Sequence, residues 1–331
     1  MITVQEAKNL IAANCSSAKT EILDLEKAVG CILAVPVYAP VDTPPFNQSA
    51  MDGYAFSFSL WDGKSSLRII GEIQAGTYLG REVQVGETIR IYTGSAMPPG
   101  ADTVIMQEKI IAREGFISLQ DETLCKGNNV RIQGSQTKTG GLMLCAGHYL
   151  SAASISFLAG TGINKVSVFA KPTVSIIVTG KELVKPGELL GSGFIYESNS
   201  YGLTAALQQL GISPESTLIT DDEMDKIIDA IKSRLHSNIL IITGGVSVGN
   251  YDFVAGALEL CGVKKIFHKV KQKPGKPFYF GIKNDTLVFA LPGNPAAVLT
   301  CFYEYAVPAI GSFTRKEYFK KSMLPLANEY S

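Results

Sequence analysis

Thr243-Gly244-Gly245-Val246-Ser247-Val248-Gly249, Lys273-Pro274-Gly275-Lys276-Pro277 and Leu291-Pro292-Gly293-Asn294-Pro295 are the three turns whose reading decides this fold. They fall close together, within a stretch that starts at Ile239. The first and third follow apolar runs, at 239–242 and 286–290, that read as buried strands, and both lead into helical patterns. A strand, a glycine turn and a helix N-terminus make an anion site, because unpaired backbone N–H groups and the helix dipole face the ligand. Two such turns with a lysine-bearing loop point to phosphate or oxyanion chemistry.

Working outward, strands are expected at 174–178, 216–220, 238–242, 278–282 and 286–290. Helices are expected at 198–210, 222–235, 252–261 and 295–306, the first capped by Ser198 or Asn199. This alternation implies a mostly parallel sheet with helices on both faces. Such sheets bind ligands beyond the carboxyl ends of their strands. Thr179-Gly180, Asp221, Thr243-Gly244-Gly245 and Leu291-Pro292-Gly293 all fall there, on one rim.

Residues 36–138 read differently, as short β-type runs broken by Gly, Pro and Asp at 67–73, 83–91, 103–107, 110–119 and 129–132. This is a small β-rich module set into the chain. Thr3 and Glu6 form a capping box before an N-terminal helix. A helix at 152–159 and a strand at 165–169 lead to Lys171-Pro172.

The chain has 331 residues, about two to four modules. Its 30 basic and 30 acidic side chains cancel, which argues against a bulk nucleic-acid binder. Charge is nevertheless segregated: seven lysines and no carboxylate lie between Lys264 and Lys283. The six cysteines have no C-x-x-C spacing and the three histidines no ligand pattern, so buried reduced thiols are expected rather than a zinc or iron–sulfur site. The N-terminus has no signal-peptide pattern, and no apolar run reaches the ~18 residues of a membrane span. A cytoplasmic protein without membrane or nucleic-acid partners is expected.

Each motif also has a plain structural reading. The Gly244–Gly249 loop serves equally as a tight strand-to-helix connection. The hydroxyls of Thr243 and Ser247 would suit a phosphate. Asp252 opens the next helix; as an N-cap it contributes about 1 kcal/mol, and as a ligand it would hold a hard cation beside a phosphate. Lys273 and Lys276 bracket Pro274-Gly275, which fixes their direction where most exposed lysines are merely solvated. Pro292 and Pro295 stiffen the loop around Gly293-Asn294 and leave only chosen amides free. Asp52-Gly53 reads locally as a turn, yet Asn47, Gln48, Ser49 and Asp52 are dense in polar groups, and Thr93-Gly94 is equally open.

Seven ordered segments carry a resemblance: 44–55, Ile91-Tyr92-Thr93-Gly94 with Pro99-Gly100-Ala101-Asp102, Thr179-Gly180-Lys181-Glu182-Leu183, Ser198-Asn199-Ser200, the Gly244–Gly249 loop, 273–277 and 291–295. Together they resemble the molybdopterin molybdenumtransferase family, whose animal relative is the C-terminal part of gephyrin. The resemblance implies a multidomain α/β fold. Residues 1–41 and 139–170 would form a linking and dimerisation domain, 42–138 an inserted β-rich module, and 171–312 a mostly parallel three-layer domain for molybdopterin binding. Residues 313–331 would begin a C-terminal β domain that is otherwise absent.

It further implies that adenylylated molybdopterin is bound, molybdate is inserted at the dithiolene sulfurs and AMP leaves, with Mg²⁺ assisting. The family resemblance implies a homodimer with a shared active site, in which Asp52 and Thr93 face the partner's pocket. Glu182, Asp221 and Asp252 would line the nucleotide side, the two aspartates holding the metal. Lys269, Lys273 and Lys276, with Pro292 and Pro295, would frame the oxyanion side. Thr179, Gly180, Ser198, Asn199, Gly244, Gly245, Ser247, Gly249, Gly293 and Asn294 would meet the pterin nucleotide. The chain departs from the family's usual acidic residues at Lys181 and Ser135-Gln136. Two other readings compete. The adenylyltransferase of the preceding step shares the glycine-loop sheet domain but lacks the N-terminal module, and a non-catalytic pterin-binding scaffold would bind without turnover.

Overall fold

A computed structural model of the protein describes residues 1–15, 18–78, 80–245, 253–320, 322 and 325. Two compact units arise: Met1–Val35 with Gly147–Ser151 and Val166–Ser331, and Pro36–Ala146 with Ala152–Lys165.

The first unit is built on a six-stranded sheet. Its order is Ser216–Thr220, Val174–Thr179, Ile239–Thr243, Thr286–Leu291, Tyr279–Lys283 and Lys264–His268. The first four strands run parallel and the last two antiparallel. Every residue of Val174–Thr179, Ile239–Thr243 and Thr286–Leu291 is buried, as expected of central parallel strands covered on both faces. Alternate side chains serve opposite layers. Ile176, Val178, Ile241 and Phe289 pack with the helices Val4–Ala13, Asn199–Gln209 and Pro295–Cys301. Ile177, Leu240, Ile242 and Val288 pack with Met224–Lys232 and Phe253–Leu260. Burying each such side chain contributes roughly 1.5–3 kcal/mol, which is why the three-layer arrangement dictates the position of every strand end. The Thr3–Glu6 capping box forms as expected.

Three sequence expectations change here. A strand at Lys264–His268 joins those expected; it lies at the sheet edge, where the exposed Lys264 and Lys265 discourage further pairing. The expected helix at 222–235 starts only at Met224, leaving Asp222 outside its first turn. The last helix does not stop at 306 but continues through a π-helical turn, Phe302–Ala306, to Thr314. That turn sits just before Pro308, whose ring cannot donate to a regular helical ladder. Among the described residues the continuous helix Pro295–Thr314 is long and apolar enough to cross a membrane, with 56% of it buried. Phe302, Tyr305, Ile310 and Phe313 lie in the sheet's core, so it is a core helix.

The second unit holds another six-stranded sheet, ordered Thr103–Met106, Gly53–Phe56, Glu87–Ile91, Leu67–Ile73, Phe116–Leu119 and Ile110–Arg113. Only Leu67–Ile73 and Glu87–Ile91 pair in parallel. The apolar run at 110–119 folds as a hairpin turning at Glu114-Gly115 rather than one strand. Asp52-Gly53 is not a free turn: Gly53 opens a buried strand, and a side chain there would meet the Ile105 carbonyl at 1.9 Å.

Candidate functional site

Strand register gathers the first unit's motifs on one rim. Thr179 pairs with Thr220, Val178 with Thr243, and Thr243 with Leu291. The segments beginning at Gly180, Asp221, Gly244 and Pro292 therefore leave the sheet at the same end. The antiparallel strands extend the argument. Tyr279 lies opposite Ala290 and His268 opposite Tyr279, so the loop holding Lys269, Lys273 and Lys276 springs from that end too.

The glycine turn is packed against its neighbour strand. A Cβ on Gly244 would sit 2.2 Å from the Thr179 carbonyl and 2.9 Å from Thr179 Oγ1. On Gly245 it would lie 2.6 Å from Val254 Cγ2, 2.9 Å from Thr179 Oγ1 and 3.5 Å from Asp222 Oδ1. Both glycines hold positive φ, 86° and 60°, so space and backbone each require glycine there. Gly293 approaches the same turn, its Cβ position lying 3.7 Å from Gly244 Cα. Asn199 Nδ2 donates to the Gly293 carbonyl at 2.9 Å, and Asn294 caps the next helix by accepting from Ala296 N at 2.9 Å. Pro292 is buried, and Pro295 opens the helix.

Around these turns, polar atoms are left over. Thr179 Oγ1, Thr243 Oγ1, Asn199 Oδ1 and Asp222 Oδ1 are buried and, among the described residues, have no hydrogen-bond partner. A buried polar atom without a partner costs about 1–3 kcal/mol, and four along one rim mark where a polar ligand would complete the hydrogen bonding.

The other expected residues are distributed as follows. Glu182 is exposed, its position beside Gly180 set by backbone pairing of Ile195 N to the Glu182 carbonyl. Ser198 is exposed and makes no side-chain cap; the neighbouring buried Glu197 serves that helix start, its carboxylate accepting from Ser200 N and the Ser200 hydroxyl. Asp221 is half-exposed and holds Lys226 at 2.5 Å, whereas Asp222 faces the glycine turn. Ser247, Gly249 and Asp252 lie outside the described residues. Lys269 adopts φ 78° and joins its loop by donating to the Phe278 carbonyl. Lys273 and Lys276 are exposed.

Among the described residues no group of three His, Cys, Asp or Glu side chains could hold a metal. A magnesium ion needs less from the protein, usually one or two carboxylates with substrate phosphate and water completing an oxygen shell. Asp222 Oδ1 and Thr179 Oγ1, unpartnered beside a phosphate-type turn, fit that donor chemistry.

In the second unit, Asp52 and Thr93 form one feature. Asp52 Oδ1 accepts from both the amide and the hydroxyl of Thr93, each at 2.8 Å. These two donors hold the Asp52 carboxyl below its ordinary value of 3.8, so it is ionised near neutrality. Beside the departed acidic positions 135–136, Asp42 supplies a carboxylate, accepting from Thr139 N at 2.8 Å and Gln133 Nε2 at 3.0 Å. Asp42, Glu197 and Asp222 were passed over in the sequence; the only signal for Asp222 was its tandem with Asp221 at a strand end.

Similarity to known proteins agrees with this geometry. Residues 2–162 match the MoeA N-terminal region (domain I and II), and residues 175–312 match a probable molybdopterin binding domain. A molybdopterin molybdenumtransferase of Nostoc sp. is 38% identical over 311 residues, covering 91% of this chain and 71% of that relative. The one from Haemophilus influenzae is 33% identical over 323 residues, covering 97% and 80%. A crystal structure of a molybdopterin biosynthesis MoeA protein from Pyrococcus horikosii superposes with TM-score 0.78 at 30% identity, covering 95% of this chain and 81% of that one. With both regions matched and relatives followed over most of their length, the chain belongs to the molybdopterin molybdenumtransferase family.

Proposed function

We propose that the protein inserts molybdate into adenylylated molybdopterin and releases AMP, giving molybdenum cofactor. The observation that carries this reading is the row of unpartnered buried oxygens beside the two glycine turns, on the rim that also bears the lysine loop. The substrate has a phosphate-linked nucleotide and a dithiolene; the second reactant is a dianion. Amides of the Gly244-Gly245 and Gly293 turns, with Thr179, Gly180, Asn199 and Asn294, would hold the nucleotide. Thr179 and Thr243 hydroxyls can donate to phosphate oxygens, replacing the partners they lack.

Lys273 and Lys276, with Lys269, would neutralise the oxyanion where charge develops, the strongest use of charge-assisted bonds. Glu182 and Asp221 would border the nucleotide, and Asp222 supplies the carboxylate nearest the turn. A bound Mg²⁺ would act as a Lewis acid toward the phosphate linkage; Asp222, with Asp221 and Asp252, is the carboxylate set assigned to it. Nothing in the reaction needs a protein nucleophile. Asp52, kept anionic by Thr93, is assigned to a partner subunit's pocket in a cytoplasmic homodimer.

The test is to incubate the purified protein with adenylylated molybdopterin, Mg²⁺ and molybdate. Molybdate-dependent AMP release is expected. Tight binding without release would instead support the scaffold reading, and ATP consumption with unmodified molybdopterin the adenylyltransferase.

A further inference from the structure

We propose that Gln272 and Tyr305 form a buttress that sets the position of Lys273 and Lys276, which makes Gln272 and Tyr305 positioning residues for the oxyanion side. The proposal rests on the molybdenum-transfer reading above. Lys273 and Lys276 are exposed, so the backbone of their loop, rather than packing, aims the ammonium groups. That backbone is held from beneath by one side chain. Gln272 Nε2 donates to the Pro274 carbonyl at 3.0 Å and to Cys301 Sγ at 3.3 Å, while Gln272 Oε1 accepts from the Tyr305 hydroxyl. The carboxamide orientation is forced, because a carbonyl can only accept; Oε1 is thereby turned to the tyrosine.

Tyr305 has no freedom of its own. It is 1% exposed, and its ring stacks on Phe278 with centroids 4.5 Å apart. Burial pushes its phenol up to about 12, so it donates at any working pH. Tyr305 also lies on the π-helical turn Phe302–Ala306, a local irregularity of the kind often found at functional sites. The loop closes tightly on the buttress. A Cβ on Gly275 would sit 2.3 Å from Gln272 Nε2 and 2.7 Å from Cys301 Sγ, so glycine alone lets the chain come down onto the carboxamide. Val270 N then donates to the Lys276 carbonyl at 3.0 Å, closing the loop across its neck. The lysines are thus connected through Gln272 to the fully packed core, a route that a merely exposed loop would not have.

The test compares wild type with Tyr305→Phe, which removes only the hydroxyl and keeps the stacked ring, and with Gln272→Glu, which keeps the acceptor but loses the Pro274 contact. Hydrogen exchange at the Val270 and Phe278 amides reads the loop without any catalysis. Losing one such hydrogen bond should speed exchange there about fivefold to tenfold. The molybdate KM should rise by a similar factor while kcat and the affinity for adenylylated molybdopterin hold. Unchanged loop exchange in both variants would overturn the proposal. So would loosened loops with an unchanged molybdate KM, or a loss falling equally on the nucleotide. If Tyr305→Phe fails to fold, Gln272→Glu decides by the same readings. A wild-type protein whose loop is protected, and loosens in the variants, but which transfers no molybdenum would sink the functional reading while leaving the buttress intact.

Discussion

Thr179→Val should stabilise the empty protein and weaken its ligand binding, two opposite changes from one atom. Valine keeps the β-branched shape of the buried strand end and deletes a hydroxyl that has no partner among the described residues. An unpaired buried hydroxyl costs about 1–3 kcal/mol, so its removal should raise stability by about 1 kcal/mol, or about 2–4 °C in Tm for a unit of this size. In the complex the same hydroxyl would donate to a charged phosphate oxygen, a bond contributing about 1.5–3 kcal/mol. Its loss then weakens binding of adenylylated molybdopterin about tenfold to hundredfold. Calorimetric melting of the ligand-free protein and titration calorimetry with the ligand measure the two effects separately. A variant that melts several degrees lower without ligand would show that Thr179 is already satisfied. Unchanged affinity would show that the glycine turn beside it is only a tight connection.

Asp52→Asn and Asp252→Asn should each be inactive alone. If sites are shared across a two-fold dimer, random mixing of the two should restore about a quarter of wild-type activity, because one site in each mixed dimer is intact. No recovery in verified mixed dimers contradicts the shared site. Lys273→Ala should raise the molybdate KM about tenfold, the worth of one charge-assisted bond, while nucleotide affinity holds; an equal loss of both removes its oxyanion assignment. Because Thr93 donates to Asp52 twice, the folded pKa of Asp52 lies below its ordinary 3.8. The pairing therefore adds stability above that ordinary value and loses it as pH falls through the folded one, so it is intact at about pH 5. A carboxyl carbon titration by NMR should give a midpoint below 3.8 that rises only part of the way toward it in Thr93→Val, which loses the hydroxyl but keeps the amide donor; a wild-type midpoint at or above 3.8 refutes the pairing.

The central strands were legible because burial on both faces writes them as short, largely apolar runs, and their ends then fixed the rim. The Lys264–His268 strand was not, since the exposed Lys264 and Lys265 that open it break the apolar pattern before Ile266 and Phe267. The hairpin at Glu114-Gly115 was hidden by apolar residues on both sides of a short turn. At the site, motif spacing located the glycine turns and the lysine loop. It pointed to Asp221 and gave no reason to look at Asp222, because that depends on where the next helix begins, and that is Met224. Gln272 carried no local signal at all; its partners Tyr305 and Cys301 are brought to it only by the packed helix.

The most direct test of the central claim is a crystal structure with adenylylated molybdopterin and tungstate, whose anomalous scattering locates the metal. The phosphate is expected at the Thr179, Gly244 and Gly245 turn and the tungsten peak within reach of Lys273 or Lys276. Ligand density away from that rim, or tungsten bound far from both lysines, would contradict it.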